Sequence, residues 1–206
     1  MNRLESFFRE YNNFDIEFAD GSGITPSINH TNCNKIVDYL IKKFKLCEES
    51  NILDMGAGIG YLQRAFEDKN FKNIYSFEGS KKLCNMFLGN KTHLCMIDFA
   101  KQINDARLKK SFNLIVSIEV FEHQQRKNID IFLQNIMFMS YICLCSIHVE
   151  NEENEFHKTI ESKQWWEDKF KFNNIEYEQI TKEEFNNNTG VPWECSVYYI
   201  LKDKNV

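Results

Sequence analysis

The stretch Asn51-Ile52-Leu53-Asp54-Met55-Gly56-Ala57-Gly58-Ile59-Gly60 (NILDMGAGIG) decides how this chain folds. A short apolar run, Asn51 to Met55, has the character of a strand. It hands over to glycines at alternate positions, which let a backbone turn sharply and come close to a ligand. Beyond the turn, Tyr61, Leu62, Ala65 and Phe66 fall at helical spacing. The first N–H groups of that helix face whatever the turn holds. Strand, glycine turn and helix together open a parallel α/β unit.

The same alternation continues downstream. Asn73 to Phe77 (NIYSF) reads as a second strand, with a helix from about Ser80. Thr92 to Ile97 reads as a third, followed by a helical stretch to about Lys109. Phe112 to Ile118 is the fourth, and the helix after it carries Ile129, Phe132, Leu133, Ile136 and Met137. Ser140 to Ile147 (SYICLCSI) is the fifth, nearly continuously apolar, as a strand covered on both faces should be. Right-handed crossovers then place helices on both faces of one parallel sheet. A helix around Lys163 to Phe170, then strands over Asn174 to Ile180 and Trp193 to Leu201, predict a hairpin closing one edge. Upstream, Leu4, Phe7, Phe8 and Tyr11 form one apolar stripe. Cys33, Ile36, Val37, Leu40, Ile41 and Phe44 form another, after the loop GSGITPS at 21–27.

Composition narrows the class. The chain has 206 residues, 43% of them hydrophobic and 18 of them Phe, enough apolar material for one sizeable core. A single domain is expected: a helical cap over 1–45, a core over 48–147, and a substrate-side helix and closing hairpin over 148–206. The net charge is −5 and the lysine pairs are scattered, so nucleic acid is not an expected partner. The seven cysteines show no paired zinc spacing and read as buried thiols, Cys143 and Cys145 on one strand face. No apolar run is long enough to cross a membrane, and the first residues lack the apolar core of a secretory leader, so a cytoplasmic location is expected.

Ligands of such sheets bind outside the carboxyl ends of the strands. A dinucleotide turn, G-x-G-x-x-G, would need glycine where Tyr61 stands, and no phosphate-binding lysine follows, so neither a dinucleotide nor a P-loop site fits. Glu78 closes the second strand, where an acid accepts hydrogen bonds from ribose hydroxyls.

DMGAGIG followed by Glu78 resembles the cofactor turn of class I S-adenosylmethionine-dependent methyltransferases, over roughly residues 48 to 147. The resemblance implies an α/β, Rossmann-like seven-stranded sheet of order 3-2-1-4-5-7-6, its last strand antiparallel, with helices on both faces. It implies S-adenosylmethionine as cofactor and an N-terminal helical lid that includes Tyr11. Asp54, Gly56, Ala57, Gly58 and Gly60 then lie at the methionine moiety, and Glu78 at the ribose. Asp98 and Phe99 bracket the adenine, although Asp98 equally suits a helix N-cap. The backbone from Ser117 to Glu119 closes the pocket. The aspartate-proline-proline-aromatic signature of base amino-methyltransferases is absent; Ser117-Ile118-Glu119-Val120 stands there instead.

That last segment continues to Phe121-Glu122-His123, and three readings of it stand side by side. Glu119, Glu122 and His123 shape the pocket through local hydrogen bonds; or they hold Mg2+ or Mn2+, hard cations that suit carboxylate oxygens; or His123 acts as a general base near neutral pH. In a helical turn Glu119 would share one face with Glu122 and His123. E-x-x-E-H resembles the metal motif of small-RNA 2′-O-methyltransferases and of ubiquinone-pathway O-methyltransferases. His148 or His157 would supply a further ligand or base. The stretch around His157 also resembles the segment of sugar and small-molecule methyltransferases in which a histidine precedes a Trp-Trp helix. Trp165 and Trp166 suit either a substrate wall or the core, and His30 and His93 read as structural or exposed. The expected reaction is in-line O-methylation of a small molecule or sugar precursor. The alternatives are a metal-dependent RNA 2′-O-methyltransferase and a non-catalytic binding subunit.

Overall fold

The computed structural model describes residues 2–11, 30–149, 156–191 and 195–204. Seven strands form one sheet: β1 Ile52–Met55, β2 Ile74–Glu78, β3 Leu94–Met96, β4 Leu114–Ile118, β5 Ile142–His148, β6 Ile175–Ile180 and β7 Ser196–Asp203. Their order is β3-β2-β1-β4-β5-β7-β6, the order expected. β7 runs antiparallel to both of its neighbours, and every other pair is parallel. The order reverses between β1 and β4, which opens a crevice at their carboxyl ends.

Period-two alternation builds two cores. Leu53, Met55, Tyr75, Phe77, Ile115, Cys143, Cys145 and Tyr199 point to one side. Ile52, Ile74, Leu114, Val116, Leu144 and Tyr198 point to the other. Both sets are apolar because helices cover both faces. In chain order the helices are α1 Arg3–Tyr11, α2 His30–Phe44, α3 Tyr61–Glu67, α4 Lys81–Asn85, α5 Ile129–Met139, α6 Lys163–Phe172 and α7 Lys182–Thr189. α1, α5 and α6 pack on the first face, and α2, α3 and α7 on the second. All seven cysteines are free. Among the described residues, no helix is long and apolar enough to cross a membrane.

Three features differ from the sequence reading. The crossover from β3 to β4 holds turns and no helix. Between Asp98 and Lys110 only Phe99, Ile103 and Leu108 are buried, too sparse a pattern for a helical stripe. α1 covers that part of the sheet instead. Phe8 lies 4.7 Å from Tyr75 and 5.5 Å from Phe77, centroid to centroid. Arg107 of the crossover spans Phe7 and Tyr11 and pairs with Glu10 and Asp105, each at 2.7 Å. The expected cap over 1–45 is therefore divided, α1 on one face and α2 on the other, with Tyr11 stacked on Phe7 at 4.7 Å. The loop at 21–27 lies outside the described residues.

The expected hairpin is the second difference. β6 and β7 do pair, but α7 intervenes. Thr181 Oγ1 accepts from the Glu184 N–H at 3.0 Å, and Gly190 closes the helix at φ +68°. Phe185 stacks on Tyr198 at 4.2 Å and anchors α7 to the sheet. Trp193, expected to open the last strand, lies outside the described residues, and β7 starts at Ser196. Third, β3 shrinks to Leu94–Met96 because Asn90 caps a 3-10 turn over Lys91–His93.

Candidate active site

The glycine turn is held by its neighbours. The N–H groups of Gly56 and Ala57 donate to the Phe77 carbonyl at 2.8 and 3.1 Å. Gly56, Gly58 and Gly60 have φ of +87°, +57° and +83°, the left-handed region that favours glycine. A Cβ on Gly56 would lie 2.7 Å from Val120 Cγ1 and closer still to Cγ2. One on Gly58 would meet nothing within 4 Å, so the backbone is bare toward the crevice there. Gly58 N–H donates to Glu78 Oε2 at 2.7 Å, while the Gly79 and Ser80 N–H groups donate to Oε1, both at 2.8 Å. Glu78 thus ties the turn to the end of β2. Burial raises its pKa despite those three donors.

Asp54, at the end of β1, is 5% exposed, and its Oδ2 has no hydrogen-bond partner. Burial, and then the charge of Glu78, push its pKa up to about 8. An orphaned buried acceptor is costly, and a cationic ligand group at this position relieves the cost. Asp98 Oδ1 accepts from Ala100 N–H at 3.0 Å, capping a turn, and the other oxygen faces Lys101 at 3.4 Å. Phe99 is buried, edge-on to Phe132 at 5.5 Å. Ser117 Oγ donates to the Met55 carbonyl at 3.1 Å, fastening β4 to β1.

The segment after β4 is not an α-helix. Only Phe121–His123 form a 3-10 turn, and Glu119 has φ +54°. A non-glycine residue there costs about 1–2 kcal/mol, so the turn is held by its partners. Glu119 N–H donates to Ser146 Oγ at 2.9 Å; Glu119 Oε1 accepts from Ser146 Oγ at 2.6 Å and Oε2 from Ser196 Oγ at 3.0 Å. Glu122 is the opposite case. Its side chain is fully buried and neither oxygen has a hydrogen-bond partner. Burial, followed by the charge of Glu119, lifts its pKa well above the usual carboxyl range.

The backbone of Glu122 draws a distant segment into the site. Its carbonyl accepts from the N–H groups of Lys158 and Thr159 at 2.8 and 2.9 Å, and Thr159 Oγ1 donates to the Gln124 carbonyl at 2.6 Å. His157 thereby sits between His123 (ring centroids 4.9 Å) and His148 (4.7 Å). Burial, then the neighbouring His123 and His148, depress the His157 pKa to about 4, so its ring is neutral at pH 7. Glu122, His123 and His157 offer ligand atoms all within 4.8 Å of one another. Glu119 stands outside that group. His123 Nδ1 pairs with the Phe156 carbonyl at 3.0 Å. His148 is 8% exposed and its Nε2 has no partner.

The remaining candidates divide between site and scaffold. Trp166 is fully buried against Phe121 at 5.8 Å and belongs to the core, while Trp165 is half-buried beneath Arg126. His93 bonds the Ile74 carbonyl and stacks on Tyr75, a structural role; the side chain of His30 lies outside the described residues. Val120, Ser146 and Ser196 were not singled out from sequence, although Ser146 and His148 are the two polar residues at the carboxyl end of an otherwise apolar strand.

Residues 27–174 match a family model described as "Methyltransferase domain". The chain belongs to that family of class I S-adenosylmethionine-dependent methyltransferases. This methyltransferase resembles an S-adenosylmethionine-dependent methyltransferase from Clostridium acetobutylicum ATCC 824, with 11% identity and a TM-score of 0.64 over 98% of this chain and 99% of that one. The small RNA methyltransferase HEN1 is 15% identical, with a TM-score of 0.61 over 82% of this chain and 25% of that one. The glycopeptide N-methyltransferase MtfA is 10% identical, with a TM-score of 0.60 over 82% and 89%. At such identities the likeness is one of fold. No curated protein matches the methyltransferase. Its own turn fits the family's cofactor: Gly58 is bare, the first turn of α3 faces the crevice, and Asp54 Oδ2 lacks a partner.

Proposed function

We propose that this methyltransferase methylates a hydroxyl of a small polar molecule, such as a sugar or glycan precursor, with a divalent cation held by Glu122, His123 and His157. One observation carries the reading: those three side chains converge within 4.8 Å, and the buried Glu122 carboxylate has no protein partner for either oxygen. A buried carboxyl beside a second acid is costly to ionise, and a cation would offset that cost. The mixed carboxylate and imidazole donors favour Mn2+ over Mg2+, because imidazole is the softer ligand. S-adenosylmethionine supplies the methyl group, and a cation at this cluster supplies the charge that makes an adjacent hydroxyl more acidic. The chain's own residues do the rest. Asp54, the glycine turn and Glu78 orient the cofactor at the ends of β1 and β2. The segments around Glu122 and His157 hold the acceptor beside it, and such positioning is the larger part of methyl transfer. His157 is neutral at pH 7, the form in which an imidazole can ligate a cation.

A second reading, transfer to a terminal ribose hydroxyl of RNA, uses the same chemistry. The fold likeness to the small RNA methyltransferase HEN1 favours it, and a net charge of −5 weighs against it. The test is formation of S-adenosylhomocysteine with a panel of sugars, amines and short RNAs, with and without chelator. Sugar-dependent turnover that EDTA abolishes and Mn2+ restores is expected. Transfer to amines alone would overturn the hydroxyl reading, and chelator-insensitive turnover the cation. Salt-sensitive turnover on RNA would replace the sugar reading by the second one.

A further inference from the structure

We infer that Glu119 is a positioning residue that locks the turn 119–123 to β5 and β7 and is not itself a ligand of the cation. The inference deepens the proposed function, and rests on it only for the cation. The two carboxyls of the segment are neighbours that influence each other, but they differ in their other partners. Each oxygen of Glu119 accepts from a serine, Ser146 of β5 at 2.6 Å and Ser196 of β7 at 3.0 Å. Both serines are buried. The Glu119 N–H donates back to Ser146 Oγ at 2.9 Å, so one hydroxyl both gives and receives. Neither oxygen of Glu122 has a partner, and Glu122 lies within the group that also includes His123 and His157.

The arrangement explains why a glutamate stands in the left-handed region, where glycine is the ordinary choice. A side chain long enough and with two polar ends can reach hydroxyls on two strands, and glutamate does so here. Ser196 lies directly opposite His148 in the β5–β7 register, so the clamp also fixes the strand end that carries His148.

Everything that the turn places depends on this anchor. Val120, the next residue, fills the space that a Cβ on Gly56 would need, so the clamp reaches the cofactor turn. Phe121 then inserts between Phe132 and Trp166, at 4.9 and 5.8 Å, and Glu122 follows at the buried floor. Glu119 therefore sets both the cofactor turn and the cluster, and meets the cluster through the neighbouring Glu122 carboxyl.

The test uses the full chain and calorimetric titration with two probes, S-adenosylhomocysteine and MnCl2. In Glu119→Gln the side-chain carbonyl still accepts from one serine and the amide donates to the other hydroxyl, so the clamp survives without its charge. That variant should bind both probes within about threefold of wild type. Glu119→Ala should weaken S-adenosylhomocysteine about tenfold or more, with Ser196→Ala, which removes a single bond, in between. Glu122→Gln should lose Mn2+ and keep S-adenosylhomocysteine. Loss of Mn2+ by Glu119→Gln to the extent seen in Glu122→Gln would make Glu119 a ligand and overturn the inference. So would wild-type S-adenosylhomocysteine affinity in Glu119→Ala. If Glu119→Ala does not fold, Ser196→Ala and Glu119→Gln decide: wild-type S-adenosylhomocysteine affinity in the first, or a loss of tenfold in the second, would overturn it. If the wild-type protein binds no Mn2+, the cation reading falls alone, and the S-adenosylhomocysteine ratios decide the role of Glu119.

Discussion

Replacing Gly56 by alanine tests whether the cofactor turn and the turn after β4 are one mechanical unit. The new Cβ would lie 2.7 Å from Val120 Cγ1, closer still to Cγ2, and 3.2 Å from Val120 Cβ. Carbon atoms in contact prefer about 3.5–4.0 Å, so one segment must retreat by roughly 1 Å. Rotating Val120 brings little relief, because its Cβ and both methyl groups are near. Overpacking of this kind costs about 1–3 kcal/mol. The φ of +87° adds about 1–2 kcal/mol for a residue with a side chain. The sum, about 2–5 kcal/mol, corresponds to a 30- to several-thousand-fold loss if it falls on binding. Val120→Ala removes both clashing methyl groups but not the dihedral strain. The double variant should therefore recover part of the loss, with a coupling of about 1–3 kcal/mol. Isothermal titration with S-adenosylhomocysteine and thermal melts of wild type, both single variants and the double variant close the cycle. Zero coupling, or wild-type affinity in Gly56→Ala, would refute the mechanical link.

Further perturbations bear on other parts of the molecule. Asp54 has its pKa raised to about 8 by burial, with Glu78 second, against about 4 in the unfolded chain. The cofactor-free fold thus binds more protons between pH 4 and 8 and loses stability as pH rises through that window. Asp54→Asn should flatten that slope and raise the melting temperature at pH 8, while weakening S-adenosylhomocysteine binding; an unchanged slope would contradict the assignment. Removing divalent cations should lower the melting temperature and Mn2+ should restore it in a concentration-dependent way, with Glu122→Gln indifferent to both; a wild-type melt that ignores Mn2+ counts against the site. Thr181→Ala removes the cap bond to Glu184 N–H and should cost about 1 kcal/mol, read as a lower urea midpoint at unchanged m. An unshifted midpoint would show that the cap is dispensable and that Phe185 packing and the Glu184 bonds to Tyr39 and Lys43 hold α7.

Much of the fold was legible because its signals are local. The alternation of apolar strands with helices, the glycine turn at 56–60 and the acid at 78 lie within short windows, and their order predicts the sheet that forms. α7 escaped because Lys182–Thr189 buries only Phe185 and Thr189, too few apolar side chains for a periodic stripe. Its capping pattern was present all the same, Thr181 followed three residues later by Glu184, with Gly190 at the end. The helix expected after β3 failed for the converse reason. Its few apolar residues serve a surface that α1 covers, and covering by a distant segment leaves no local trace.

The site divides in the same way. From sequence alone came its chemical inventory and its placement at the strand ends: Asp54, Glu78, Glu119, Glu122 and His123, with His148 and His157 as candidates. Which of these meet was decided by tertiary structure. A helical turn would set Glu119, Glu122 and His123 on one face; instead Ser146 and Ser196, 27 and 77 residues away, take both oxygens of Glu119 and hold a left-handed backbone, with its carboxyl still acting electrostatically on Glu122. His157 joins His123 because the Glu122 carbonyl accepts N–H groups 36 and 37 residues downstream, at Lys158 and Thr159. Backbone periodicity is written in adjacent residues. The partners of a buried carboxylate are set by whichever donors the packed strands and loops bring within hydrogen-bonding distance, and that distance exists only once the chain has folded.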